Sequence, residues 1–346
     1  MRNAVIVVVF SIAGLWACAP AEEPAPTAAA SDASAPASAG TIDGLAPELW
    51  ELIERDAVVE KVAEGFQFIE GPVWVGGSDG YLLFSDIPAD AVYRWSESEG
   101  HSVFLQPVFL PELETGGQGG SNGLTLDHQG RVVLCEHGNR RIARIEEDGT
   151  RVTVVDRFDG KRLNSPNDIV YHSSGAAFFT DPPYGLADPE SSELGFNGVY
   201  RLDGDGTAHL EADGQTRPNG IGLSPDETVL YVANSDVEAR LWMAYPVGDD
   251  LGLGEGSVHL DLTDSVDSGV PDGLAVDVRG NLWASGPGGI VVITPDGTHL
   301  GTVRPAEQPA NAGFGDDGRT LYMTARTGLY RVRTRVAGIL PRDAVE

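Results

Sequence analysis

One short phrase recurs along this chain and restricts what it can fold into. The first copy is Glu70-Gly71-Pro72-Val73-Trp74. It returns as Asn122-Gly123-Leu124-Thr125-Leu126, Asn167-Asp168-Ile169-Val170-Tyr171, Asn219-Gly220-Ile221-Gly222-Leu223, Asp272-Gly273-Leu274-Ala275-Val276 and Asn311-Ala312-Gly313-Phe314. Each copy opens on an oxygen-bearing side chain, passes through a small or turn-forming residue and enters an apolar strand. The starts lie roughly 40–53 residues apart, the spacing of a propeller blade or a similar repeat. If the copies are structurally equivalent, their six leading side chains converge on one axis. Glu70 and Asp272 bring carboxylates; Asn122, Asn167, Asn219 and Asn311 bring amides. A hard, oxygen-only, doubly negative environment of this kind suits a calcium-like cation.

The rest of the body reads as β. Short runs of Val, Leu, Tyr and Phe alternate with Gly, Asp and Pro turns from about residue 57 onward. After the second copy come Arg131–Cys135, Arg141–Ile145 and Val152–Val155, so that each repeat holds four strands, the content of one blade. Six repeats predict an all-β, six-bladed propeller with a central metal site, spanning residues 42–346. Val58–Val62 has no repeat of its own and is expected to complete the last blade, which leaves the ring without free edges. Residues 45–55 carry helical apolar spacing and predict a short helix packed on the domain. A single Asn-Gly is most simply a turn; six copies in register, with the acids in non-adjacent repeats, call for more.

Ahead of this body lie two segments of different character. Residues 1–18 read as a signal segment: Arg2 is followed by an uncharged apolar run, too short to span a membrane, that ends in Leu15-Trp16-Ala17-Cys18. Those four residues resemble a bacterial lipobox, in which the cysteine becomes the lipidated first residue. The expectation is an extracytoplasmic protein anchored at Cys18, with simple secretion as the alternative. Residues 19–41, almost wholly Ala, Pro, Ser, Thr and Glu, read as a disordered tether. The formal charge of −29, from 52 acidic and 23 basic residues, argues against a nucleic-acid partner. The only other cysteine, Cys135, falls in a strand and reads as an unpaired buried thiol.

The phrases, with Ser165-Pro166-Asn167-Asp168, Arg217-Pro218-Asn219-Gly220 and Val270-Pro271-Asp272-Gly273, resemble the gluconolactonase/regucalcin-like family of six-bladed calcium propellers. The resemblance covers about residues 60–335. Cys135–Arg141, Thr180–Gly185 and Ser285–Gly289 resemble its bacterial gluconolactonase branch. It implies that Glu70, Asn167, Asn219 and Asp272 hold one divalent cation, calcium first, with magnesium, manganese or zinc as alternatives. It further implies substrate contacts from Asn122, Glu136 and Asn311, the last through water because Asn311-Ala312-Gly313 departs from the common motif. His137 is expected near the mouth of the channel, and Arg140 and Arg141 as loop-anchoring charges.

The reaction this implies is hydrolysis of a lactone, sugar lactones such as gluconolactone favoured, with the cation polarising the carbonyl. Asp272 is the first candidate for the base that deprotonates water. His137 is the second, since an imidazole titrates near neutrality. No zinc-type His/Cys cluster or phosphate loop with a lysine is present in the sequence. Hydrolysis of other esters or organophosphates, and a non-catalytic calcium-stabilised binding propeller, stay open as alternatives. Oligomeric state is not legible.

Overall fold

The computed structural model describes residues 38–77, 80–113 and 115–341. The expected signal segment, Cys18 and the tether up to residue 37 lie outside the described residues.

Six antiparallel sheets form six blades, each running outward from an innermost strand that opens with, or directly follows, the repeated phrase. The innermost strands are Ile69–Val75, Ser121–Leu126, Ile169–Tyr171, Pro218–Leu223, Leu274–Val276 and Asn311–Gly315. Each of them neighbours the next and the sixth neighbours the first, so the ring closes around a channel. The expected six-bladed architecture is thus the one observed.

The second strand of every blade explains why the fold holds. These strands are buried on both faces, which is why they read as unbroken apolar runs. Side chains alternate sides along a strand, so each second strand feeds two different cores. In blade 1, Leu82 and Phe84 pack toward blade 6 with Trp74, Tyr322 and Leu329, while Leu83 packs toward blade 2 with Leu124 and Leu134. In blade 2, Val133 and Cys135 turn to blade 3 with Phe179 and Tyr200. In blade 5, Leu282 and Ala284 meet Trp242 of blade 4, and Trp283 meets Phe314 of blade 6. The apolar core is therefore six wedges, one per blade interface. Cys135 is fully buried in one wedge and unpaired, as read from the sequence.

The ring is latched by the N-terminal segment. Glu60–Glu64 forms the outermost strand of blade 6, antiparallel to Gly328–Arg333. The expected closing strand is present, displaced by two residues from Val58–Val62. A second N-terminal strand, Gly40–Gly44, adds a fifth strand to blade 5 by pairing with Gly301–Pro305. Gly40 and Thr41 were expected in the tether, and here they already belong to the sheet. The helix expected over 45–55 is a single turn, Leu49–Leu52, whose Leu49 and Leu52 plug the wedge between blades 5 and 6.

Candidate functional site

Three of the inner strands are bulged at the phrase. Register shifts fall between Glu70 and Val73, between Ser121 and Leu124, and between Pro218 and Ile221. A bulge re-aims a side chain, and these turn the leading residue of the phrase toward the channel mouth. The glycine that follows is fixed by crowding. A Cβ on Gly71, which has φ of 57°, would lie 2.2 Å from the Asn122 carbonyl oxygen. One on Gly220 would lie 2.2 Å from the Asp272 carbonyl oxygen. Each phrase thus abuts the phrase of the next blade.

Hydroxyls at the ends of the second strands tie these phrases together. Ser85 Oγ donates to the Asn122 carbonyl at 2.8 Å, Thr180 Oγ1 to that of Asn219 at 2.7 Å, and Ser285 Oγ to that of Pro309 at 2.6 Å. Ser235 Oγ donates to the Pro271 carbonyl. Asp181 accepts the amides of Asn164 and Ser165, both at 2.7 Å, and holds the approach to Asn167. The sequence analysis missed these supports. Their signal is the run of Ser85-Asp86, Thr180-Asp181 and Asn234-Ser235 at equivalent strand ends.

On this frame stand Glu70, Asn122, Asn167, Asn219 and Asp272. All but Asp272, which is partly exposed, are nearly inaccessible to solvent. Glu70 accepts the Gly71 amide at 3.0 Å and a hydrogen bond from the Asn311 side chain. Asp272 is hydrogen-bonded by Asn219, whose Nδ2 also donates to Ser235 Oγ at 2.8 Å. Burial pushes both carboxyls well above their ordinary range, and their mutual repulsion raises Asp272 further. Among the described residues neither forms an ion pair with an arginine or lysine. Asp168, not singled out from the sequence, adds a third negative group close enough to raise both. Burial holds its own carboxyl at about 7, and it accepts the amide of Ile169 at 2.9 Å.

This donor set fits a cation better than it fits itself. Two carboxylates, Glu70 buried and Asp272 partly exposed, lack a counter-charge, and the buried Asn122 Oδ1 has no hydrogen-bond partner. Buried charge without compensation is costly; a divalent ion held by Glu70, Asn167, Asn219 and Asp272 would supply the missing counter-charge, and Asn122 Oδ1 stays open to a bound molecule. Among the described residues no cluster of three or more His, Cys, Asp or Glu side chains is placed to hold a metal. A cation here would have to draw part of its shell from amide oxygens, as the phrase composition implies.

His137 sits at the same end of blade 2, just past the strand end where Glu136 pairs with Ser121. It is buried against Gly185, whose added Cβ would lie 2.7 Å from the His137 Cβ. Burial lowers its pKa to about 4, and Nε2 has no partner. It is a neutral imidazole at physiological pH.

Two expected substrate contacts take other places. Glu136 is wholly buried, with its oxygens taken by Arg141 Nε at 2.6 Å, Arg151 Nη1 at 2.9 Å and Asn139 Nδ2 at 2.5 Å. These three donors commit it to holding the strand end. Asn311 turns Oδ1 to the Ala312 amide and its NH2 to Glu70, which makes it an orienting group for that carboxylate. Arg140 anchors loops as expected, donating to the carbonyls of Leu163, Asn164 and Thr115.

Below these residues the channel widens into a cavity of about 190 Å³. Its walls are the apolar inner strands, and Ile339–Pro341 crosses its far end.

Comparison with known proteins agrees with the propeller fold. Residues 68–327 match the model of the SMP-30/gluconolactonase/LRE-like region. A gluconolactonase of Zymomonas mobilis is 40% identical over 314 residues, covering 86% of this chain and 87% of the relative. A pentonolactonase of Haloferax volcanii is 29% identical, covering 75% and 81%. The solved structure of a Xanthomonas campestris gluconolactonase superposes with a TM-score of 0.76 at 32% identity, covering 87% of this chain and 98% of that one.

Proposed function

Because the chain belongs to the SMP-30/gluconolactonase/LRE-like family, we propose that it hydrolyses a lactone, a sugar lactone first, to the hydroxy acid at the channel mouth. The observation that carries this reading is the pairing of two uncompensated carboxylates, Glu70 and Asp272, with buried amide groups at one end of the ring. Relatives named for lactone hydrolysis point the same way.

Glu70, Asn167, Asn219 and Asp272 would hold one divalent cation, with calcium the first choice for an all-oxygen donor set. Such an ion, when bound, supplies Lewis-acid stabilisation of negative charge on an acyl oxygen. The residues of the chain supply the rest. Asn311 and the Gly71 amide orient Glu70, and Asn219, braced by Ser235, orients Asp272. Asp272 is the one acid of the set open to solvent, so it can reach a water and take its proton. His137 is the second candidate for that role, because its neutral ring leaves Nε2 free to accept. The Asn122 amide oxygen, also free, can accept from a sugar hydroxyl. Nothing in this scheme needs a covalent intermediate.

The direct test is acid release from glucono-1,5-lactone with and without chelator, followed by restoration of single metals. Turnover that falls on chelation and returns with one cation supports the scheme. Turnover indifferent to chelation removes the cation from it, and no turnover on any lactone removes the activity. We also propose that Cys18 carries a lipid anchor that holds the domain outside the cytoplasm; the Leu15–Cys18 sequence supports this.

A further inference from the structure

Apart from arginines that lie fully exposed, the described arginines of this protein have carboxylate or carbonyl partners, with one exception. Arg94, Arg131, Arg141, Arg144, Arg151, Arg162, Arg201, Arg304 and Arg331 sit in ion pairs, and Arg140 and Arg240 donate to backbone carbonyls. Arg217 is partly buried, yet among the described residues its guanidinium has neither an ion pair nor a hydrogen bond. Its only close partner is the ring of Tyr184, 5.7 Å from the guanidinium carbon to the ring centroid. The nearby carboxylate of Asp236 accepts from Thr216 Oγ1 at 2.6 Å and the Glu238 amide at 3.0 Å, and feels the Arg217 charge without pairing with it.

Tyr184 ties this cation to the channel mouth. Its hydroxyl reaches Asn219 and Ser235 and feels the charge of Asp272. Arg217 itself stands two residues before Asn219, on the same bulged inner strand approach. The guanidinium meets the mouth through this ring and, among the described residues, forms no ion pair with Glu70 or Asp272. A cation linked to the mouth in this way, and not paired with its acids, suits a substituent of the bound molecule other than the group being hydrolysed. In a protein of charge −29, a half-buried guanidinium with no ion pair or hydrogen bond among the described residues is a costly feature unless an anion completes it.

We propose that Arg217, stacked on Tyr184, is a specificity-determining residue that binds an anionic substituent, carboxylate or phosphate, at the end of a sugar lactone distal to its carbonyl. The inference rests on the lactone-hydrolase reading above and narrows its substrate class. Tyr184 positions the guanidinium by presenting a flat face, and guanidinium geometry suits bidentate contact with either anion.

The test compares glucono-1,5-lactone with its 6-phosphate and with glucaro-lactone, which carries a 6-carboxylate, on wild-type protein, Arg217→Gln and Arg217→Lys. Wild type should favour at least one anionic lactone over the neutral one, through a lower KM and in a salt-sensitive way. Which of the two is favoured separates phosphate from carboxylate. In Arg217→Gln the ratio of anionic to neutral kcat/KM should fall by about 10–100-fold, the value of one charge-assisted contact. Arg217→Lys keeps the charge and should retain part of the ratio, which also guards against misfolding as the cause. An unchanged ratio, or equal loss on neutral and anionic lactones, overturns the inference and assigns Arg217 to propping Tyr184. If no lactone turns over, the hydrolase reading fails. The anion site is then judged by calorimetric binding of 6-phosphogluconate, which wild type should bind more tightly than Arg217→Gln; equal binding overturns it.

Discussion

At the scale of the residue, the channel mouth stores unfavourable electrostatics. Glu70 and Asp272 are raised by burial and, in Asp272, by the other's charge, with Asp168 adding to both. Removing one charge should therefore help the metal-free fold while harming the chemistry. Asp272→Asn keeps the shape and the capacity to hydrogen-bond. Its lactone turnover should fall by about 10²–10⁴-fold, the usual range for losing a general base, while its melting temperature in chelator should equal or exceed that of wild type. Undiminished turnover would take Asp272 out of the mechanism. A lower melting temperature would show that the two carboxylates share a proton to their mutual benefit. Only part of this was legible beforehand. The leading residues of the phrases could be read because the repeat places them in register. Asp168 escaped notice because it occupies the slot that glycine fills in most copies. Glu136 was misplaced because its partners, Arg141 and Arg151, are set by strand pairing in blade 2, which spacing alone does not reveal.

At the scale of the element, the latch strand is held by more than its ladder. Lys61 Nζ donates to Glu307 at 3.1 Å, and Glu307 also accepts Thr327 Oγ1 at 2.7 Å, the Thr327 amide at 3.0 Å and the Tyr330 hydroxyl at 2.9 Å. Burial opposes ionisation of this carboxyl, but those hydrogen bonds outweigh it and hold the pKa at about 2. A depressed folded pKa contributes stability that is complete above the ordinary carboxyl range and is lost as pH falls through that range toward 2. Glu307→Gln should cost about 1–2 kcal/mol at neutral pH, after allowance for the partial exposure of the pair. The gap to wild type should close as melts are repeated at successively lower pH. A constant gap across the acid range would mean that packing, and not charge, is what the substitution removes. Strand Gly40–Gly44 was hidden for the opposite reason to the latch. Its Gly-Thr-Ile-Asp-Gly sequence continues the small-residue composition of the segment before it, and only pairing with Gly301–Pro305 makes it a strand.

At the scale of the whole molecule, the blade count and the ring were readable because the six wedges impose the same demand six times: a second strand apolar on both faces, followed by a polar turn. Arg217 and Tyr184 were not, since they meet across loops of different blades. The acidic surface sets no fold but bears on where the protein works. If Cys18 is lipidated, Cys18→Ser should move the protein from the membrane fraction to the soluble one, with lactone turnover per molecule unchanged. Unaltered fractionation would refute the anchor.

The latch also fixes an order of events in time. Glu60 bonds Arg331 across 271 residues of chain, and the strand that Glu60 belongs to has no partner until Gly328–Arg333 has been made. During synthesis one of the earliest strands must therefore wait for nearly the last. Every earlier blade can collapse against its predecessor as it appears, but the circle stays open and its edges sticky until the final hairpin arrives. A polypeptide released a few residues short of that point would lose closure of the whole ring, and would present to its neighbours the very edge that the finished molecule spends on itself.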